Sequence, residues 1–309
     1  MFTHRTHTMA RRGTALAAVA ALGLTLAACS SDDEGGSDGD AGDGDKTISL
    51  GYLPSWTDGL SMAYLLDNQL SAAGYTVEHE ELEQAGVLYT ALADGDVDIY
   101  PSAWSDGLHL SYMEEYGDDL ADLGAYYEGA KSFLAVPTYT DIDSLADLPD
   151  NVDMFDGTIT GIEASAGLME TTADPVIPTY GLEDAGYTLQ DSSTTAMLTA
   201  LGEAIDSQED ILVTMWTPFW ANASYDIKAL EDPEGAFGEP EDLHFMGHKG
   251  FADEFPEVAE WLGQVKLTDQ QYSDLEKTVV VDHEGDPAAG VQAWLDANPD
   301  AFETEIPNE

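Results

Sequence analysis

Apolar and polar residues follow two rhythms that take turns along the chain from Thr47 onward. Short apolar runs of strand length, "TISLGYL" and "VDIYPSA", alternate with stretches whose apolar residues recur every three or four positions, "DGLSMAYLLDNQLSAAG" and "AGVLYTALADG". The first pattern predicts strands and the second amphipathic helices, because side chains share a face every second residue on a strand and every third or fourth on a helix. "YTVEHEEL" adds a strand, "SYMEEYGDDLADL" a helix and "AKSFLAVPTY" another strand. After "DIDSLADLPDNVDMFDG" the cycle restarts with "TITGIEA", "AGLMETTADPVIPTYG", "YTLQDSS", "TTAMLTALGEAIDSQ" and "DILVTMW". Repeated strand–helix units imply an α/β class with mostly parallel sheets and helices on both faces. Two such sets, parting near residue 137, predict two doubly wound lobes joined by a hinge. The tail, "PEVAEWLGQVK", "TDQQYSDLEKTVVV" and "DPAAGVQAWLDANPDAF", reads as helices that pack back on the first lobe. The expected division is lobe 1 at 47–136 plus 245–309 and lobe 2 at 137–244.

Residues 1–46 keep neither rhythm. "MFTHRTHTMARRGT" carries Arg5, Arg11 and Arg12, and the apolar "ALAAVAALGLTLAA" that follows is shorter than the roughly 20 residues a spanning helix needs. It ends at Cys29, the one cysteine of the chain. This arrangement resembles a bacterial lipoprotein signal, which implies removal of residues 1–28 and a lipid anchor on Cys29, on the extracytoplasmic face of the membrane. Residues 29–46 form an acidic Gly/Asp/Ser segment without an apolar side chain larger than Ala41, and predict a flexible linker.

Charge narrows the partners. Beyond Cys29 there are six lysines, no arginine and 61 carboxylates, more negative still than the formal −52 of the full chain. That sign excludes nucleic acid as a natural partner. It resembles the surfaces of proteins from salty surroundings, where screening tempers the repulsion. Without arginine, no bidentate guanidinium clamp exists for a carboxylate or phosphate. An anionic ligand group must be held by backbone N–H, His, Lys or hydroxyls.

In open α/β sheets, ligands sit beyond the carboxyl ends of the strands. Four segments qualify: "GYLPSW", "YPSAW", "GIEASAG" and "LVTMWTPFW". Three carry a tryptophan at the strand end, Trp56, Trp104 and Trp216. Trp220, one helical turn on, reads as support, while Trp261 and Trp294 occupy apolar positions of late helices and read as core. A single such Trp is ordinary packing; three on converging loops predict an aromatic box. A trimethylammonium head has no N–H to donate, but indole faces attract it at about 1–2 kcal/mol per desolvated contact. Opposite, the small-residue turn of "GIEASAGLMETT" exposes the N–H groups of Gly167 and Leu168, suited to a carboxylate. His109, on the Trp104 loop, can donate from the facing lobe. The expected ligand is a small molecule with a methylated cationic head and an anionic tail. "EASAG" looks like a nucleophile elbow, but Glu163 stands where its first glycine belongs, so a secreted hydrolase is the weaker alternative. His244 and His248 of "HFMGH" lie on a predicted strand with Gly247 between them, and neither a metal nor a cofactor is expected.

The segments "GYLPSWTDGLS", "YPSAWSDGLHLSY", "DLGAYYEGAKSFLAVPTY", "GIEASAGLMETT", "SSTTAMLTAL", "VTMWTPFWA", "YDIKALEDPEGAFGE" and "HKGFADEFPEVAEWL" run in this order from about residue 47 to 270. Together they resemble the substrate-binding proteins of glycine betaine ABC transporters, the betaine/choline-binding group. The resemblance implies a bilobed periplasmic-binding-protein fold whose cleft closes on its ligand, an ABC permease as partner and osmoprotectant uptake rather than catalysis. It implies Trp56, Trp104 and Trp216 as a tryptophan prism, with Gly167, Leu168 and His109 donating to the ligand carboxylate. Two departures stand out. Trp56-Thr57-Asp58 resembles the choline binders of the same fold, which adds Asp58 to the ligand set and makes choline the alternative ligand. Phe219 replaces the His usual in "W-T-P-H-W".

Overall fold

The computed structural model describes residues 46–302 together with 305 and 306, so the expected signal segment, Cys29 and all of the linker but Lys46 lie outside the described residues. The first cycle is realised as β1 (Thr47–Tyr52), α1 (Thr57–Ala72), β2 (Thr76–Glu81), α2 (Ala85–Asp94) and β3 (Ile99–Ala103). On α1, Gly59, Met62, Ala63, Leu66 and Leu70 are buried, the three-and-four spacing of one helical face. All five residues of β3 are buried. Its Pro101 sits where the ladder to the neighbouring antiparallel strand shifts register, so the missing N–H interrupts no regular pairing.

The helix expected over 111–123 is shorter than its pattern: α3 spans Leu110–Tyr116, and an 18-residue strand, β4 (Leu120–Pro137), begins soon after. The second cycle gives β5 (Thr158–Thr160), α4 (Gly167–Thr171), α5 (Ile177–Tyr180), α6 (Leu182–Ala185), β6 (Thr188–Gln190), α7 (Thr194–Ser207), β7 (Val213–Thr217), α8 (Ala221–Ser224) and β8 (Ile227–Ala229). The chain returns along β9 (Glu241–His248) and ends in α9 (Phe251–Glu254), α10 (Pro256–Leu262), α11 (Asp269–Lys277) and α12 (Pro287–Ala297). Strand pairing explains the shortened helix. Leu120 through Ala130 ladder onto β9, and a partner arriving more than a hundred residues later overrides the local helical pattern.

The strands run in the order β2-β1-β3-β9-β4-β7-β5-β6, with β8 also on β4. Pairs β1–β2, β1–β3, β5–β6 and β5–β7 are parallel. β9 runs antiparallel to β3 and β4, and β4 antiparallel to β7 and β8. The sheets are therefore mixed rather than mostly parallel. Each half keeps a parallel core, while β4 and β9, which carry the chain across the middle and back, run against their neighbours. The second half has its own apolar cluster around Leu145, Phe155, Ile159 and Leu212. In the first half α11 and α12 pack on α1, and Trp261 and Trp294 are buried, as their apolar spacing predicts.

Candidate ligand-binding site

The loops that leave β1 and β3 carry Trp56 and Trp104, the C-terminal end of β7 carries Trp216, and α4 opens with Gly167 and Leu168. With Asp58 and His109, all seven residues expected at the site line one cavity of about 360 Å³, where Leu108, Ile162 and Ala166 join them. The three indoles are only 5–7% exposed. They are enclosed by the fold yet border a hollow, which core packing alone does not produce.

Each tryptophan is fixed from behind. The Trp56 Nε1–H donates to Glu163 Oε2 at 3.0 Å, and the Thr194 N–H and hydroxyl also donate to that carboxylate, at 3.1 and 2.9 Å. A first-half ring is thereby tied to the second half. The Trp104 Nε1–H donates to Asp58 Oδ2 at 3.2 Å, and the Ser102 hydroxyl reaches the same oxygen at 2.7 Å. Trp216 stacks on Phe219 with centroids 4.0 Å apart and planes 15° off parallel. Phe219 is thus a flat backing for the third wall. Trp220 does not line the cavity: its backbone N–H donates to Glu276 Oε2 at 2.8 Å, while the Thr57 hydroxyl donates to Glu276 Oε1 at 2.8 Å.

Polar groups sort to two ends. Burial pushes the Asp58 carboxyl above the usual carboxylate range, against the opposing hydrogen bonds from Ser102, the Gly59 N–H and Trp104. No Lys or Arg lines the cavity among the described residues. A cationic ligand group would be the one full positive charge available to Asp58. His109 is buried, and its Nδ1 accepts the Trp104 backbone N–H at 3.1 Å and meets the Tyr89 hydroxyl at 2.9 Å. A ring nitrogen that accepts carries no proton, so the neutral imidazole keeps its hydrogen on Nε2. Burial lowers the imidazolium pKa to about 3, and the ring stays a neutral donor at ordinary pH.

The N–H groups of Gly167 and Leu168 open α4 and have no carbonyl one turn back to bond. Neither finds a backbone acceptor among the described residues. Gly167 is there for space. A Cβ on it would lie 1.7 Å from the carbonyl oxygen of Leu108 on the opposing loop.

Glu163 and Tyr89, which hold the expected residues in place, were not legible in advance, and Phe219 stood out only as a departure from the family pattern. Glu163 had shown itself only as the residue that spoils a hydrolase motif. His244 and His248 take separate partners: His244 lies 3.0 Å from Asp122 and 3.4 Å from Asp106, and His248 lies 3.4 Å from Asp98.

An α/β frame whose two sheet halves send aromatic loops and unpaired main-chain donors into one small cavity is that of a solute-binding protein. The chain belongs to the family described as the substrate binding domain of ABC-type glycine betaine transport systems, whose model matches residues 46–297. A glycine betaine/carnitine transport binding protein, GbuC of Listeria monocytogenes serotype 1/2a (strain 10403S), is 34% identical over 163 residues, 53% of this chain. That match spans about half (52%) of the relative's length. The crystal structure of the glycine/betaine/L-proline-binding protein ProX from Borrelia burgdorferi is similar at a TM-score of 0.78 and 28% identity, covering 84% of this chain and 97% of that one. Lactococcal OpuAC, in its closed-liganded conformation with glycine betaine, is similar at a TM-score of 0.76 and 30% identity, covering 83% of this chain and 98% of that one. No helix of the described residues is long and apolar enough to cross a membrane.

Proposed function

We propose that this protein captures glycine betaine outside the cytoplasm and delivers it to an ABC permease for osmoprotectant uptake, held to the membrane by a lipid on Cys29. One observation carries the reading: three tryptophans and a carboxylate border the same cavity as two unpaired main-chain N–H groups and a neutral imidazole donor. Trp56, Trp104, Trp216 and Asp58 suit a quaternary ammonium, whose charge the ring faces attract without hydrogen bonds. Gly167, Leu168 and His109 Nε2 suit the carboxylate at the other end. The lobes, 47–136 plus 245–309 and 137–244, close on the ligand by motion about β4 and the connection into β9. Isothermal titration with betaine, choline, carnitine and proline betaine tests the proposal, and silence toward all four ends it.

Choline remains the second reading because Asp58 faces the box and an alcohol needs no anion site. His109→Ala separates the two. A hydrogen bond to a charged group is worth about 1.5–3 kcal/mol, so betaine affinity should fall roughly 10- to 100-fold while choline affinity holds within about threefold. Equal losses for both ligands would remove His109 from the carboxylate end.

A further inference from the structure

Leu108 borders two hollows. One face lines the tryptophan cavity, and the other lines an outer groove of about 950 Å³ between the 106–110 loop, the far end of α4 and the connection into β9. It is the partition between the ligand cavity and that groove, and its carbonyl rests directly on Gly167. His109 and, on α3, Tyr112 hold the C-terminal side of the loop, through Tyr89 and the Ser165 carbonyl. The Asp106–Leu108 turn before them is held by Glu241, the first residue of β9. Its Oε1 accepts the Leu108 N–H at 2.9 Å, and the N–H groups of Gly107 and Asp106 also point at its carboxyl. Gly107 packs so close that a Cβ there would lie 2.5 Å from Glu241 Oε1. The other oxygen, Oε2, is buried without a hydrogen-bond partner.

We propose that Glu241 is the positioning residue of this site, a latch whose carboxyl group grips the Asp106–Leu108 turn and so holds Leu108 shut against Gly167. The inference rests on the ligand reading of the cavity. A chemical consequence follows from the orphaned Oε2. An ionised carboxylate with one unsolvated oxygen is costly, and burial raises the Glu241 pKa to about 7 against its three N–H contacts. The groups around it are Asp106 on the loop, Lys131 on β4, Asp232 and Glu239 on the connection, Asp242 on β9 and Tyr89 on α2. Once the loop lifts, water reaches the carboxyl and its pKa returns toward the ordinary value. The closed form therefore binds the proton more tightly than the open one. By linkage, closure is most favoured below the ordinary carboxylate range, weakens as pH rises from there to about 7, and no longer changes with this group above that.

Two variants and two readouts test this. In the ligand-free protein, Glu241→Ala should speed amide hydrogen exchange at Leu108 at least tenfold, whereas Glu241→Gln, which keeps an acceptor for that N–H, should stay within about threefold of the parent. In betaine titrations Glu241→Gln, a mimic of the protonated carboxyl, should come nearest the parent at about pH 4, where the carboxyl is protonated in both forms, and bind at least threefold tighter than the parent at pH 8. Unchanged exchange in Glu241→Ala, with thermal melts showing it folded, would overturn the latch. So would a parent-to-Gln affinity ratio that stays constant with pH. Exchange that behaves as expected in a protein that binds none of the four ligands would leave the latch standing and remove the ligand reading instead.

Discussion

Gly167→Ala is expected to weaken ligand binding roughly 100-fold or more while leaving the protein as stable as before or slightly more so. The backbone at Gly167 lies outside the left-handed region, so alanine is conformationally acceptable there, and in a helix it is favoured over glycine by up to about 1 kcal/mol. The obstacle lies across the cleft. The new methyl would stand 1.7 Å from the Leu108 carbonyl oxygen and 2.5 Å from its carbon, and both are backbone atoms that no rotamer change can move. The two loops must part by more than an ångström, which separates His109 from the N–H groups of Gly167 and Leu168. Losing two charge-assisted contacts at about 1.5 kcal/mol each corresponds to roughly a 100-fold loss of affinity or more. Calorimetric titration beside a thermal melt checks both halves of the expectation. Undiminished binding would mean that the cavity works in an arrangement where Leu108 and Gly167 do not meet.

The same glycine shows how far the sequence could be read. "ASAGLM" advertised a turn with exposed N–H groups, because small residues before a helix start are a local signal. That Gly167 also makes room for a carbonyl some sixty residues earlier was not legible, since the contact belongs to the closed arrangement of two loops. The strand-end tryptophans were legible for a comparable reason: a βα unit fixes where its loop emerges whatever the rest of the chain does. Their supports were not. Glu163 reaches Trp56 over 107 positions and Glu276 reaches Thr57 over 219, and nothing local to either carboxylate marks it as buried or paired. β4 is the clearest case among the elements. Its opening residues read as helix because their spacing is helical, and the ladder with β9 decided otherwise.

Trp104→Ala should be the most damaging change in the box itself. Trp104 serves three neighbours at once: its ring faces the cavity, its indole N–H supports Asp58, and its backbone N–H fixes the tautomer of His109. Alanine keeps only the last. The lost ring contact is worth about 2 kcal/mol when desolvated, and the wall it leaves open admits water beside the onium head. Asp58 keeps its bonds from Ser102 and the Gly59 N–H but loses the indole donor, and adding that bond at about 1–2 kcal/mol brings the expected loss to roughly 100- to 1000-fold in affinity. Trp104→Phe isolates one part of this, since a phenyl ring restores an aromatic face but cannot donate to Asp58. It should recover about half of the lost binding free energy. Full recovery would mean that the indole N–H and Asp58 are scaffolding without influence on the ligand. No recovery would mean that the Asp58 anchor, rather than the ring face, is what the cavity depends on, and the attraction between the ring and a quaternary ammonium would lose its place in the mechanism.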